Sequence, residues 1–183
     1  MSYRGFSPLT RAIKDGDKDT VKWLIDAGAD ASPEDRSPAY RSGLPNGFMD
    51  VPEQTPLMVA ASTRHKDIVE LLLSTGKAET NARDDRGWTA LRATIPYSQD
   101  EIMELLLRSG DIDIEARDNN GSTALIQAAS TGSPSAAELL LGIGKADVNA
   151  KDNAMSTPLI VAVGAGQARL VELLLATGKV ELN

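Results

Sequence analysis

Apolar residues in this chain come in two short helical runs, then a glycine stop and a polar stretch, and the unit then recurs. The stretch from Ser122 to Asp152 shows one full unit, with a first run over Leu125, Ile126, Ala128 and Ala129 and a second over Ala136, Ala137, Leu139, Leu140 and Leu141. The leucine that opens the first run falls at Leu57, Leu91, Leu125 and Leu159, an even step of 34 residues. Leu9, in Ser7-Pro8-Leu9, lies 48 residues before Leu57, one period plus 14 inserted residues. A fixed period of this length signals an all-α stack of like units, each touching mainly its neighbours.

Each unit predicts a helix pair. In the first, Ser7 caps and Pro8 sits in the first turn, where a missing N–H is harmless. A second helix follows over Asp19–Asp26, closed near Gly28. Trp23 lies on it at a leucine position, which predicts a core side chain covering an end seam. In the second unit Thr55 and Pro56 open one helix, and Asp67 opens the other over Ile68, Val69, Leu71, Leu72 and Leu73 up to Gly76. In the third unit Pro96 disfavours the α conformation at Ile95, so its first helix should end early. The fourth and fifth units are regular and rich in alanine and glycine. Met155 stands where the two preceding units carry Gly87 and Gly121. If that site needs a positive φ, a side chain there costs about 1 kcal/mol.

The segment Thr55-Pro56-Leu57-Met58-Val59-Ala60-Ala61, with His65, Ile68-Val69-Glu70-Leu71-Leu72-Leu73, Gly76 and Asn81-Ala82, resembles the ankyrin repeat. The resemblance covers nearly the whole chain. It implies an all-α solenoid of helix-turn-helix units with short hairpin loops, forming one domain over 1–183. The repeats fall at about 3–30, 50–83, 84–117, 118–151 and 152–183, with an insertion at about 31–53. His65 stands at the family's usual histidine and is expected to hydrogen-bond neighbouring backbone. The insertion contains four prolines (33, 38, 45, 52) together with Tyr40, Leu44, Phe48 and Met49. Two readings of it stand side by side: a surface loop packed on itself, and a wall of the binding face.

Net charge is −7 and the isoelectric point about 4.7, which opposes binding to a phosphate backbone. Cysteine is absent and histidine occurs once, so neither a zinc site of the usual nitrogen–sulfur type nor a Cys–His pair can be assembled. Lys77, Lys145 and Lys179 each follow a glycine, but a phosphate loop needs a second glycine six residues before the lysine, where leucines stand. No enzyme, cofactor or metal is expected. Neither a secretory leader nor an 18-residue apolar run is present, which points to an intracellular setting, cytoplasmic or nuclear, without a membrane span.

In ankyrin repeats, as the resemblance implies, partners lie across the hairpin tips and first helices. All seven aromatics precede residue 98. The rows expected to be exposed hold Tyr3, Arg4, Phe6, Arg86, Trp88, Arg92 and Tyr97, to which the insertion adds Tyr40 and Phe48. Trp, Tyr and Arg dominate interface energies. These nine residues are therefore the expected contacts with a partner protein, with packing of Trp88 on the insertion as the alternative. The last unit is as apolar as the inner ones. It should expose an apolar face, so either the chain continues beyond Asn183 or this face meets another copy. The functional expectation is a protein-binding module; the alternatives are a self-associating scaffold and a regulatory segment of a larger protein.

Overall fold

The computed structural model describes residues 7–29 and 54–181. Its helices follow one another in pairs: α1 (Pro8–Asp15) with α2 (Lys18–Asp26), α3 (Pro56–Ser62) with α4 (Lys66–Ser74), and α5 (Ala90–Thr94) with α6 (Asp100–Arg108). The pairs α7 (Ala124–Thr131) with α8 (Pro134–Gly142) and α9 (Pro158–Gly164) with α10 (Ala168–Ala176) complete the series. The described residues contain no β-strand. First helices pack on first helices along the series, and second helices on second helices, so the pairs stack side by side. The fold is the all-helical stack that the period predicts.

Local chemistry starts and stops each helix. The first helices are capped by Ser7, Thr55, Thr89, Thr123 and Thr157, each hydroxyl accepting from the amide three residues on. Pro8, Pro56 and Pro158 fill the first turn of α1, α3 and α9. The turns into the second helices need a left-handed residue, supplied by Gly16, Arg64, Ser98, Gly132 and Gly166. As Pro96 predicts, α5 is only five residues long and gives way to a 3-10 turn over Ile95–Tyr97.

Burial follows the helical stripe. Leu9, Ile13, Leu57, Ile68, Leu72, Leu91, Met103, Leu106, Leu125 and Leu140 are almost fully buried and make the core continuous through the stack. Fully burying one such side chain stabilises by about 1.5–3 kcal/mol, so the core carries most of the fold.

Two expectations change, at Trp23 and His65, and one at Met155 is met. Trp23 is not a core residue: 80% of its surface is exposed. Only Val21 and Ile25 of α2 are buried, and the equivalent leucines 71, 105, 139 and 173 are themselves only half-buried, so this column faces partly outward. His65 makes no side-chain hydrogen bond among the described residues. Its ring instead fills the space beside the turn of the first pair, where a Cβ on Gly16 would lie 2.6 Å from Cε1. Met155 does adopt φ +61°, matching +77° at Gly87 and +74° at Gly121. The insertion at about 31–53 lies outside the described residues.

Candidate functional site

The polar stretches between pairs build a row of hairpins from one repeated device. Asp84 Oδ1 accepts from the amides of Arg86 (2.9 Å) and Trp88 (2.8 Å). Asp118 does the same for Asn120 and Ser122, and Asp152 for Ala154 and Ser156. A backbone bond closes each loop, from the amides of Asp84, Asp118 and Asp152 to the carbonyls of Trp88, Ser122 and Ser156. Successive hairpins then ladder together: the Asn119 amide donates to the Arg86 carbonyl (3.1 Å) and the Asn153 amide to the Asn120 carbonyl (3.0 Å). Asn119 Nδ2 reaches the Asp85 carbonyl, and Asn153 Nδ2 the Asn119 carbonyl. The sequence carries the signal for this device as Asp-x-x-Gly repeating with the period, at 84–87 and 118–121, a pattern the helix-based reading of the repeat does not use.

On this common frame the third hairpin carries a cluster of its own. The Arg86 guanidinium lies 4.0 Å from the centroid of the Trp88 ring and the Arg92 guanidinium 5.0 Å from it, both within cation–π range. Arg86 is held there by Asp84, with Nε and Nη2 at 3.1 and 2.9 Å from Oδ2. Its side chain remains half-exposed while that of Asp84 is buried. Trp88 is half-buried. The corresponding positions are Ser122 and Ser156 for Trp88, and Asn120 and Ala154 for Arg86.

Arg92 departs from the expected exposed row. It is 95% removed from solvent, in the column that elsewhere holds Met58, Ile126 and Ile160. Its Nη1 donates to the Ser122 carbonyl (3.0 Å), and its Nη2 donates to Asp118 Oδ2 and Gln127 Oε1, both at 2.7 Å. Burial pushes this guanidinium down from its usual pKa, and the neighbouring carboxylates of Asp118 and Asp84 pull it back up. Arg92 therefore ties the third pair to the fourth from inside. It supports the indole and does not offer itself to solvent.

Tyr97 stands apart from this cluster, at the far end of the first helical segment. It is 52% exposed, and its carbonyl accepts from Arg64 Nη2 at 3.0 Å. The structure thus brings Arg86, Trp88 and Arg92 together and leaves Tyr97 separate. Tyr3, Arg4, Phe6, Tyr40 and Phe48 lie outside the described residues.

Comparison with protein families settles the lineage. A family model of three ankyrin repeats matches residues 40–118 and again 111–183, and a single ankyrin repeat matches residues 4–36. The chain belongs to the ankyrin repeat family. Ankyrin repeats are generally protein–protein interaction modules and typically non-enzymatic. Among the described residues no helix of this ankyrin-repeat chain is long and apolar enough to cross a membrane.

Proposed function

We propose that this chain is a non-catalytic ankyrin-repeat module that grips a partner protein on its hairpin and first-helix face, centred on Trp88 of the third hairpin. The observation that carries this reading is that the indole and Arg86 are surplus to the stack. The fourth and fifth hairpins make the same ladder with serine, asparagine and alanine in their places. A half-buried tryptophan flanked by a guanidinium already held by Asp84 is a preorganised anchor, and little side-chain entropy is lost when such a group is covered. Tyr97 extends the face toward the other end of the first helices, and Tyr3, Arg4, Phe6, Tyr40 and Phe48 are assigned to it by their sequence positions. The partner is another protein, with no nucleic acid, cofactor or metal in the reading.

The test is Trp88→Ala. Partner capture should weaken at least about tenfold, the scale of an interface hot spot, while the melting temperature stays within a few degrees. A loss of folding instead would return Trp88 to a structural role.

A second reading rests on a separate observation. Ile160, Val163 and Leu175 of the last pair are 56%, 61% and 46% exposed, whereas the equivalent Ile126 and Ala129 are buried. That apolar face suits self-association, and sedimentation over a range of concentrations distinguishes a dimer on this face from a monomeric binder.

A further inference from the structure

The acidic total charge of the chain hides a segregation along the hairpins. Arg83, Arg117 and Lys151 occupy one column, a single period apart, and all three are exposed. Among the described residues none of them forms an ion pair. Some other exposed cations are neutralised, as Lys66 is by Glu101 at 2.9 Å and Arg108 by Glu104 at 2.9 Å. Lys22, Arg64, Lys77, Lys145 and Lys179 are exposed without an ion pair among the described residues as well. What distinguishes Arg83, Arg117 and Lys151 is their unbroken column along successive hairpins. The aspartate that follows each member of the row is turned inward. Asp84 and Asp118 are buried, their carboxylates taken by hairpin amides and by Arg86 and Arg92, and the Asp152 carboxylate accepts two hairpin amides. At the hairpin surface Arg83, Arg86, Arg117 and Lys151 thus outnumber one exposed carboxylate, Asp85, over a layer of inward-turned aspartates.

The two arginines of the row are also held in place. Arg83 Nη2 donates to the Arg117 carbonyl, and Arg117 Nη1 donates to the carbonyls of Lys151 and Gly121. Neutral carbonyl acceptors hold the guanidiniums in place without cancelling their charge. Donors arranged this way lose little entropy on meeting an anion.

We propose that the partner lays an extended acidic peptide segment along Arg83, Arg117 and Lys151, with a carboxylate at every third residue. This rests on the reading of the hairpin side as the partner-binding face and adds the chemistry of what binds. The spacing follows from packing: neighbouring helices stack about 8–10 Å apart, and a segment in the extended polyproline II conformation advances about 3.1 Å per residue with three residues per turn, so every third side chain faces the same way one hairpin step along. A polypeptide fits better than a nucleic acid, because a chain of net charge −7 repels a polyanion along its whole length. A short acidic segment meets mainly the local row, since screening confines more distant charges to about 8 Å at physiological salt.

The experiment is fluorescence anisotropy with a labelled peptide carrying glutamate at every third position in a glycine–serine background. It is run against a peptide of the same composition with its glutamates contiguous, and against a labelled single-stranded oligothymidylate. The spaced peptide should bind at low salt, severalfold tighter than the contiguous one. Binding should weaken as salt is raised, because the contacts are exposed. The triple variant Arg83→Gln, Arg117→Gln, Lys151→Gln should bind about tenfold more weakly, each exposed pair contributing roughly a factor of two. Lys151→Gln alone, at a side chain that makes no bond in the stack, should lose about twofold and guards against unfolding of the triple variant. Arg83→Lys with Arg117→Lys keeps the charge and should retain most of the binding. Failure of the spaced peptide to bind, equal binding by the triple variant, or tighter binding of the oligothymidylate overturns the proposal. If partner capture depends on Trp88 but is indifferent to the triple variant, the general binding reading stands and the acidic segment is refuted.

Discussion

The junction between the third and fourth hairpins and the junction between the fourth and fifth are built on one backbone pattern with different side chains. Both have an asparagine amide donating to a carbonyl of the hairpin before, an asparagine side chain reaching back, and an arginine reaching forward. In the earlier junction a buried guanidinium joins Arg92 to Asp118, Ser122 and Gln127; in the later one Ile126 fills the same column and Asp152 meets no arginine. Since the later junction closes without an ion pair, the stack does not require one. The extra chemistry of the earlier junction serves what stands above it, the ring of Trp88.

That comparison can be broken most directly at Arg92. Arg92→Ala strands the buried Asp118 carboxylate and should cost about 3 kcal/mol, read from the urea midpoint. Arg92→Met imitates the column at Met58 but strands the same carboxylate, so alone it too is costly. Combined with Asp118→Asn, which keeps the oxygen that accepts the two hairpin amides and removes the charge, it should stay within about 1 kcal/mol of the parent. If the double variant is as damaging as Arg92→Ala, the two junctions differ in kind and the surplus of the cluster is refuted.

The next largest effect lies at the hairpin glycines. A Cβ on Gly121 would stand 2.3 Å from Asn153 Oδ1 and 2.9 Å from its amide nitrogen, at a φ of +74°. Gly121→Ala should therefore cost about 2 kcal/mol or more, combining left-handed strain with a forced shift of the neighbouring loop. Met155 has the same turn and is 65% exposed, so Met155→Gly should raise stability by up to about 1 kcal/mol. Thermal unfolding of the two variants, one falling and one rising, sharpens the contrast between an inner hairpin and the last one described.

The smallest effect is electrostatic. Among the described second helices only α2 has a side-chain cap, Asp17, whose carboxylate accepts from the hydroxyl and amide of Thr20. The Thr20 hydroxyl bond, then the Thr20 amide, hold its pKa below the usual carboxylate value. A depressed folded pKa means that the contribution is present above the unfolded value, about 3.9, and is lost as pH falls through the folded one. The melting-temperature gap between the parent and Asp17→Asn should thus be constant above about pH 5 and change only in acid.

The period alone was enough to read the helix pairs, because leucine spacing, threonine caps and glycine stops all act within one turn of the chain. The early end of α5 followed from Pro96, and the left-handed turn at Met155 from its glycine counterparts, for the same local reason. The errors came where a side chain's fate depends on the neighbouring pair. Arg92 looks like a surface residue until the Asp118 carboxylate and the Ser122 carbonyl are placed beside it. Trp23 looks like core until its column proves to face partly outward. His65 was expected to seek a hydrogen bond and instead fills the gap that Gly16 leaves.

The methionine at 155 also bears on how such an array can lengthen. Copying a helical pair in between two glycine-bearing hairpins inserts a unit whose neighbours already accommodate it. A copy placed behind the fifth pair would bring its asparagine against a side chain where the inner loops offer bare backbone. Duplication is thus favoured between glycine-bearing hairpins, whereas a unit packed against the fifth hairpin would have to accommodate the methionine side chain or meet glycine there.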